Sequence, residues 1–429
     1  MAANFVNIDR DTPFLLPPDL KEWVADDDPV HFIIEAVMGL DGGLFKVNRR
    51  GSGSKQYPPK TMLALLIYCY SRGVVSSRKI EQATYRDVAV RYLMADHHPD
   101  HNTIAAFRRG NKRAIQEAFV QVLLLADKLG MLKVGMVSVD GTHLKANASL
   151  NRGVRYDRAL ALIAKLEADI ATLLGQAESA DQDDPGPDGG EQLPKGLARR
   201  QRLRDKLNAA KEQLEHEARE RAKAQGQANW QDATPQAKQQ KNLTDGDSRV
   251  LVKGRSALQA YNAQAAVDAE GSMLILSAQL VQGGDMGQLL PMVESIDERV
   301  GKPTGALADT GYAKASDLEA LEAAGLDLYV AVGAHRQRRY DFRLPKEAKT
   351  PVKLKDPTLV AMQQKLETDE GKSRYRQRQE VSEPVFGIVK ERMGFRQLSV
   401  RGLSEAGNEW TLVALAYNLK RMAKLNQAA

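Results

Sequence analysis

Cysteine is almost missing from this chain. Cys69 is the single thiol in 429 residues, which excludes an intrachain disulfide and any cysteine-built zinc site. Histidine is scarce as well, at 7 residues, so chemistry built on clustered imidazoles has few places to reside. No apolar run approaches the roughly 20 residues that a membrane-crossing helix needs. The best candidate, Met62 to Tyr70, is too short and reads as a buried helix. The opening stretch, MAANFVNIDRDTPFLLPP, lacks the basic-then-apolar layout of a secretion signal. These gaps lead us to expect a cytoplasmic protein with no membrane partner. What remains is ordinary for a soluble chain, with 43% hydrophobic and 27% charged residues. Its length implies two or three domains.

The net charge of +6 says little until it is located. Residues 371–429 hold eleven Lys/Arg against five Asp/Glu, so this segment carries the whole excess. Upstream, His335 to Arg343 adds Arg336, Arg338 and Arg339 with aromatics interleaved. Positive charge gathered towards one end suits a polyanion such as DNA; a solvated basic helix face is the plainer alternative.

Three regions differ in period. Residues 1–130 read as all-helical: an apolar helix from Pro59 to Arg72, a second pattern from Ser77 to Met94, and a long helix from Thr103 to Leu129, capped by Asn102 and closed by Gly130. The last carries Arg108, Arg109, Lys112 and Arg113, and the short polar turn before it fits a helix-turn-helix DNA-binding unit; a helical bundle that merely packs on its neighbour fits equally. His97, His98 and His101 in that turn read as polar turn residues rather than a metal site.

Residues 131–150 and 242–429 form the second region. Met136 to Asp140 alternates like a strand. Ala260 to Asp268 and Met273 to Leu280 make a hairpin, and Gly305 to Asp309 and Leu326 to Val332 are short strands. Helices are expected at Met286 to Val300, after a capping box at Ser316, over 358–367 and over 382–425. The sum is an α/β fold, a mixed sheet flanked by helices. The third region, 151–241, interrupts it after the first strand. Leu160, Ile163, Leu166, Ile170 and Leu173, and then Leu203, Leu207, Ala210 and Leu214, recur at helical spacing on either side of a low-complexity loop. That pattern suggests a coiled-coil-like helical hairpin.

Two strands end in aspartate, Asp140 before Gly141-Thr142 and Asp309 before Thr310-Gly311. Catalytic groups gather where strands of an open α/β sheet end. Hard divalent cations take carboxylate oxygens and keep waters, so a few carboxylates suffice. Two such ions about 4 Å apart serve an in-line displacement at phosphorus. Either aspartate could instead be a turn residue. A third carboxylate is expected on the late helix. There Ser382 would cap, Pro384 would sit in the first turn, and Glu383, Phe386, Gly387 and Lys390 would share a face.

Taken together, these motifs resemble the DDE-type transposases of bacterial insertion sequences, whose catalytic domain is RNase H-like. Ser138 to Thr142 is similar to the first-aspartate strand. Asn242 to Arg249 and Tyr261 to Gln264 are similar to the intervening strands, and Ala308 to Tyr312 to the second-aspartate strand. Tyr375, Arg378, Glu383 and Lys390 resemble a C-terminal tyrosine–arginine–glutamate–lysine signature; Trp410 to Leu419 fits the tail, and residues 55–110 the N-terminal DNA-binding region. Ser382 occupies the slot where the signature's spacing from arginine puts the glutamate. Glu380 and Glu391 therefore rival Glu383, which keeps the spacing to Lys390.

The resemblance implies a catalytic, metal-holding triad of Asp140, Asp309 and Glu383 with two Mg²⁺ ions, or Mn²⁺. It implies DNA contacts at Tyr375, Arg378 and Lys390, terminal-repeat and target duplexes as partners, and a homodimer or higher oligomer on DNA. His143 is ranked as structural, since this chemistry needs no side-chain base. The alternatives are an RNase H-like nuclease without strand transfer and a non-enzymatic DNA-binding regulator. The hairpin is expected to mediate dimerisation or synapsis.

Overall fold

The computed structural model describes residues 19–48, 55–183, 195–253, 256–332 and 354–428. Arg336, Arg338 and Arg339 lie outside the described residues.

Six helices come first: α1 (Pro29–Gly39), α2 (Pro59–Ser71), α3 (Ser77–Arg86), α4 (Val88–Leu93), α5 (His101–Gly110) and α6 (Lys112–Lys128). Asp28 caps α1 by accepting from the Val30 N–H, with Pro29 at a position where a missing N–H costs nothing. Every residue of α2 from Met62 to Ser71 is buried, as befits a helix apolar all round. The expected single helix from Thr103 to Leu129 is instead two. Asp100, not Asn102, caps the first, accepting from the Asn102 and Thr103 N–H groups. Asn111 leaves helical geometry between them, at φ −114° and ψ 31°, in keeping with the tendency of its amide to compete for local backbone groups. Likewise Asp87 divides the Ser77–Met94 pattern by capping α4.

The strands and remaining helices follow: β1 (Met136–Lys145), β2 (Gly153–Arg155), α7 (Tyr156–Asp183), α8 (Lys195–Ala224), β3 (Gln240–Asn242), β4 (Arg249–Lys253), β5 (Ser256–Asp268), β6 (Ile275–Val281), α9 (Leu289–Glu294), β7 (Gly305–Ala308), α10 (Ala315–Ala323), β8 (Asp327–Val330), α11 (Pro357–Glu367), α12 (Asp369–Gly387) and α13 (Leu403–Ala428). The main sheet runs β4-β5-β1-β7-β8, with β6 also paired to β5. β1, β7 and β8 are parallel, while β5 is antiparallel to β1, β4 and β6. This is the mixed sheet flanked by helices that the alternating segments implied.

Three helical expectations need correction. The Met286–Val300 helix shrinks to Leu289–Glu294. Ser316 is no cap: α10 starts at Ala315, and the Ser316 hydroxyl turns to Asp317. Residues 382–425 are not continuous, because the chain leaves the helix between Met393 and Gly402.

Helix α13 is the keystone. Trp410, Leu412 to Tyr417 and Leu419 are all essentially buried. It packs against α1, α2 and α6 on one side and β6 on the other, so one hydrophobic core extends from Val24 to Met422. The Glu409 carboxylate, 1% exposed, accepts from the Tyr70 hydroxyl at 3.1 Å and the Ser399 N–H at 2.7 Å, with Arg108 Nη1 at 3.6 Å. The α7–α8 hairpin has a separate small core of Val154, Ala159, Ile163, Leu166, Leu207 and Ala210. Its entry and exit are clamped by the β2–β3 pair. Leu160 and Leu203, read as members of the apolar stripes, face solvent.

Candidate active site

β1 passes through the middle of the sheet, and its side chains alternate between faces. Ser138, Asp140 and Thr142 therefore share one face, and all three are met by one helical segment. Ser138 Oγ lies 2.6 Å from Ser382 Oγ, Arg378 Nη1 donates to Asp140 Oδ2 at 3.2 Å, and Lys390 Nζ donates to the Thr142 hydroxyl. Asp140 Oδ1 also accepts from the Gly141 N–H at 2.8 Å. Asp309 directly follows β7, parallel to β1 and in register so that Ala308 pairs with Val139. It caps a short turn, its Oδ1 accepting from the Gly311 N–H at 2.8 Å.

Burial pushes the Asp140 carboxyl up to about 6. Arg378 and the Gly141 N–H pull the other way, and the charges of Asp309 and Asp285 add to the rise. Two expected aspartates thus sit close enough to feel one another, in a place where a negative charge is costly without a cation.

Asp285 was not anticipated. It lies in the turn after β6, and its Oδ1 accepts from Asn262 Nδ2 and Gln264 Nε2, each at 2.8 Å. The glycines after Asp140, in mid-strand, and Asp309, just past β7, make room for it. A Cβ on Gly141 would come within 2.7 Å of Asp285 Oδ1, and one on Gly311 within 3.1 Å of its Oδ2 and 3.0 Å of Asp309 Oδ1. The Gln264 carbonyl oxygen of the side chain accepts from the buried Tyr312 hydroxyl, completing a polar layer beneath Asp309. A signal existed in Gly283-Gly284-Asp285-Met286-Gly287, a turn rich in glycine around one acid.

Glu383 departs from expectation. Ser382 does not cap a helix and Pro384 is not in a first turn; both lie near the end of α12, which starts at Asp369. The proline lacks the N–H that would bond to the Glu380 carbonyl, and past it the chain widens into a π-turn over Ile388–Arg392. Such widened turns recur at functional sites; this one carries Lys390. Ser382 takes the sheet-facing position, fully buried, while Glu383 is exposed beside it. Glu380 is exposed as well, and Glu391 pairs with Arg396. Among the described residues, no three acidic, histidine or cysteine side chains stand at metal-holding distance. The structure therefore brings together Asp140, Asp309, Arg378 and Lys390, and leaves Glu383 on the adjoining helix surface.

The donor set still suits a hard divalent cation. Its groups are carboxylate oxygens, and such an ion needs only one or two of them, with water filling the rest. Tyr375 lies beneath the Arg378 guanidinium, 5.8 Å from ring centroid to Cζ.

Other expected DNA contacts are placed variously. Arg108 turns inward, its Nη1 on the Tyr70 hydroxyl at 2.5 Å, so its charge is committed to the joint with α13. Lys112 pairs with Glu405, and Arg109 is exposed. His143 is exposed. His98 stacks on Tyr85 at 3.9 Å, His101 Nδ1 lies 2.8 Å from Glu81, and His97 Nδ1 lies 2.8 Å from the Ala95 carbonyl oxygen.

Residues 230–419 match the family model described as the transposase DDE domain, and residues 18–110 match one described as a transposase domain. The first covers Asp309 and the α12 signature, the second α1 to α5; Asp140 lies outside both. No curated protein and no solved structure matches the chain.

Proposed function

The chain belongs to the insertion-sequence DDE transposases, and on that premise we propose that it cuts DNA at the ends of its element and joins the freed 3′-hydroxyl to target DNA. Its catalytic domain is RNase H-like, its substrate is DNA, and the family uses divalent metal ions. Among the described residues no helix is long and apolar enough to cross a membrane; we infer action in the cytoplasm, on the nucleoid.

Asp140, Asp309 and Glu383 are proposed to hold two Mg²⁺ ions, with Mn²⁺ able to replace them. The supporting observation is that Asp140 and Asp309 end up side by side on the parallel strands β1 and β7, with the charge of Asp140 raised in cost by burial and by its neighbour Asp309. When bound, the ions would supply charge neutralisation at the phosphoryl oxygens and activation of the attacking oxygen. In the first step a water oxygen bonds to phosphorus and the 3′-oxygen leaves. In the second, that 3′-oxygen bonds to a target phosphorus and a target 3′-oxygen leaves. Arg378 and Lys390 already reach β1 from the same helical segment, so they are poised to neutralise phosphate oxygens beside Asp140. Tyr375, packed against Arg378, offers a ring for a terminal base.

The division proposed is a helical DNA-binding unit over 1–130, a catalytic domain over 131–150 and 242–429, and the inserted hairpin over 151–241. Two or more copies are proposed to act together on DNA through the hairpin, whose Leu160, Leu174 and Leu203 are exposed. Replacing residues 156–224 by a short linker should spare binding of one end and abolish paired-end complexes in gel shifts.

Incubating the chain with Mg²⁺, a pre-cut element end bearing a free 3′-hydroxyl and a supercoiled plasmid tests the main reading. Joined product is expected. Nicking without joining would leave only a nuclease.

A further inference from the structure

Where β1 ends, a groove of about 820 Å³ opens between that strand, the start of β5 and the chain running into α13. Lys145, Arg152 and Arg401 line it, with Asn147, Asn151 and Gln397 between them, and no acidic residue does. All three cations are exposed. Among the described residues, neither Lys145 nor Arg152 has a carboxylate partner, and Arg401 spends one donor, Nε, on the Asn147 carbonyl at 3.0 Å, leaving four of a guanidinium's five. Elsewhere the molecule's cations are often neutralised: Arg299 by Glu117 and Asp297, Arg249 and Lys241 by Glu217. Leaving three uncompensated charges in one concavity is unfavourable in isolation and favourable against a polyanion.

The groove is rigidly tied to the catalytic strand. The Lys145 N–H donates to the Arg396 carbonyl at 3.1 Å and the Leu398 N–H to the Lys145 carbonyl at 2.9 Å, so the Arg396–Leu398 segment extends the sheet edge beside it. Lys145 is five residues from Asp140 on one strand, about 17 Å at the usual rise. It leaves β1 on the opposite face, so a bound backbone would cross the end of the strand.

We propose that this groove is a subsite for the phosphodiester backbone of the element-end duplex, holding the DNA that flanks the bond to be cut. This rests on the transposase reading above and adds a surface to it. The end duplex is chosen over the target because a groove fixed to the strand of Asp140 can act in the first cut, before any target is engaged.

The test is the salt dependence of end binding. Each neutralised phosphate contributes about 0.9 to the slope of log affinity against log salt. The full-length triple variant Lys145→Gln/Arg152→Gln/Arg401→Gln should bind a fluorescent end duplex at least about tenfold more weakly at physiological salt, with a slope shallower by about 2 to 3. Lys165→Gln/Lys206→Gln/Lys302→Gln loses the same charge outside the groove, on the hairpin and after α9, and should keep the wild-type slope. The charge-keeping set Lys145→Arg/Arg152→Lys/Arg401→Lys should keep it too, which separates lost charge from lost folding. A groove variant with an unchanged slope overturns the proposal, and so does one that binds ends normally but captures target poorly. A wild-type chain that neither binds nor cuts DNA would instead remove the function itself.

Discussion

Asp140 and Glu383 are proposed to serve one purpose, yet the fold treats them differently. Asp140 sits in the central strand of the sheet, flanked by paired neighbours, its carboxylate held by Arg378 and the Gly141 N–H. Glu383 stands on the outer flank of α12, one position past a serine locked into the sheet. Strand-borne carboxylates are fixed by the ladder before any ion arrives; a helix-borne one is fixed only by how that helix sits. On the proposed roles, the sheet would set the location of the chemistry, and α12 would set whether the third ligand is engaged.

The largest effect should come from the rigid side. Asp140→Asn or Asp309→Asn removes metal charge stabilisation of several kcal/mol, so end cleavage should fall about 10³-fold or more, with end binding retained in gel shifts. Residual cleavage near wild type would break the comparison at its root. Next comes the helix. Glu383→Gln should lower cleavage by about 10² or more, while Glu380→Gln and Glu391→Gln change it less than about threefold. A reversed order would move the third ligand to a rival glutamate.

A pH series sharpens the same contrast. With its carboxyl pushed up to about 6, Asp140 carries below that pH a proton that a cation must displace. Divalent-ion affinity by calorimetry should therefore fall up to about tenfold per pH unit below that value. Without metal, the folded state holds this proton more tightly than the unfolded chain, so the contribution to stability is lost as pH rises from the ordinary carboxylate range through about 6. The smallest effect concerns the lock itself. Ser382→Ala leaves a buried Ser138 hydroxyl unpaired and should cost about 1–2 kcal/mol in denaturant melts; adding Ser138→Ala should recover part of it.

The sheet was legible because strand signals are local: alternation marked β1 and β7 without knowledge of their neighbours, although β1 does not end at Asp140 as expected but runs on to Lys145, paired with β5. So was the hairpin insertion, since two long amphipathic patterns flanked one loop. The end of α12 was not. Pro384 reads as a first-turn residue, and its place inside α12 shows only in the packing of that helix on the sheet, including Ser382 on Ser138, 244 residues away in sequence. Arg108 misled for the same reason. A basic residue on a surface-like helix looks free for DNA until Glu409, far along the chain, is seen to claim it. Asp285 escaped notice because its neighbours Asn262 and Gln264 come from another strand.

Because α13 fills the space between α2, α6 and β6, the earliest helices cannot close their core until the chain as far as Met422 has left the ribosome. Maturation is thus postponed until α13 has been made. A copy shortened by a frameshift before Trp410 would leave α2, apolar on every side, exposed to water and to proteases, so degraded copies of the element should yield chains cleared by the cell rather than partial DNA binders competing with the intact enzyme.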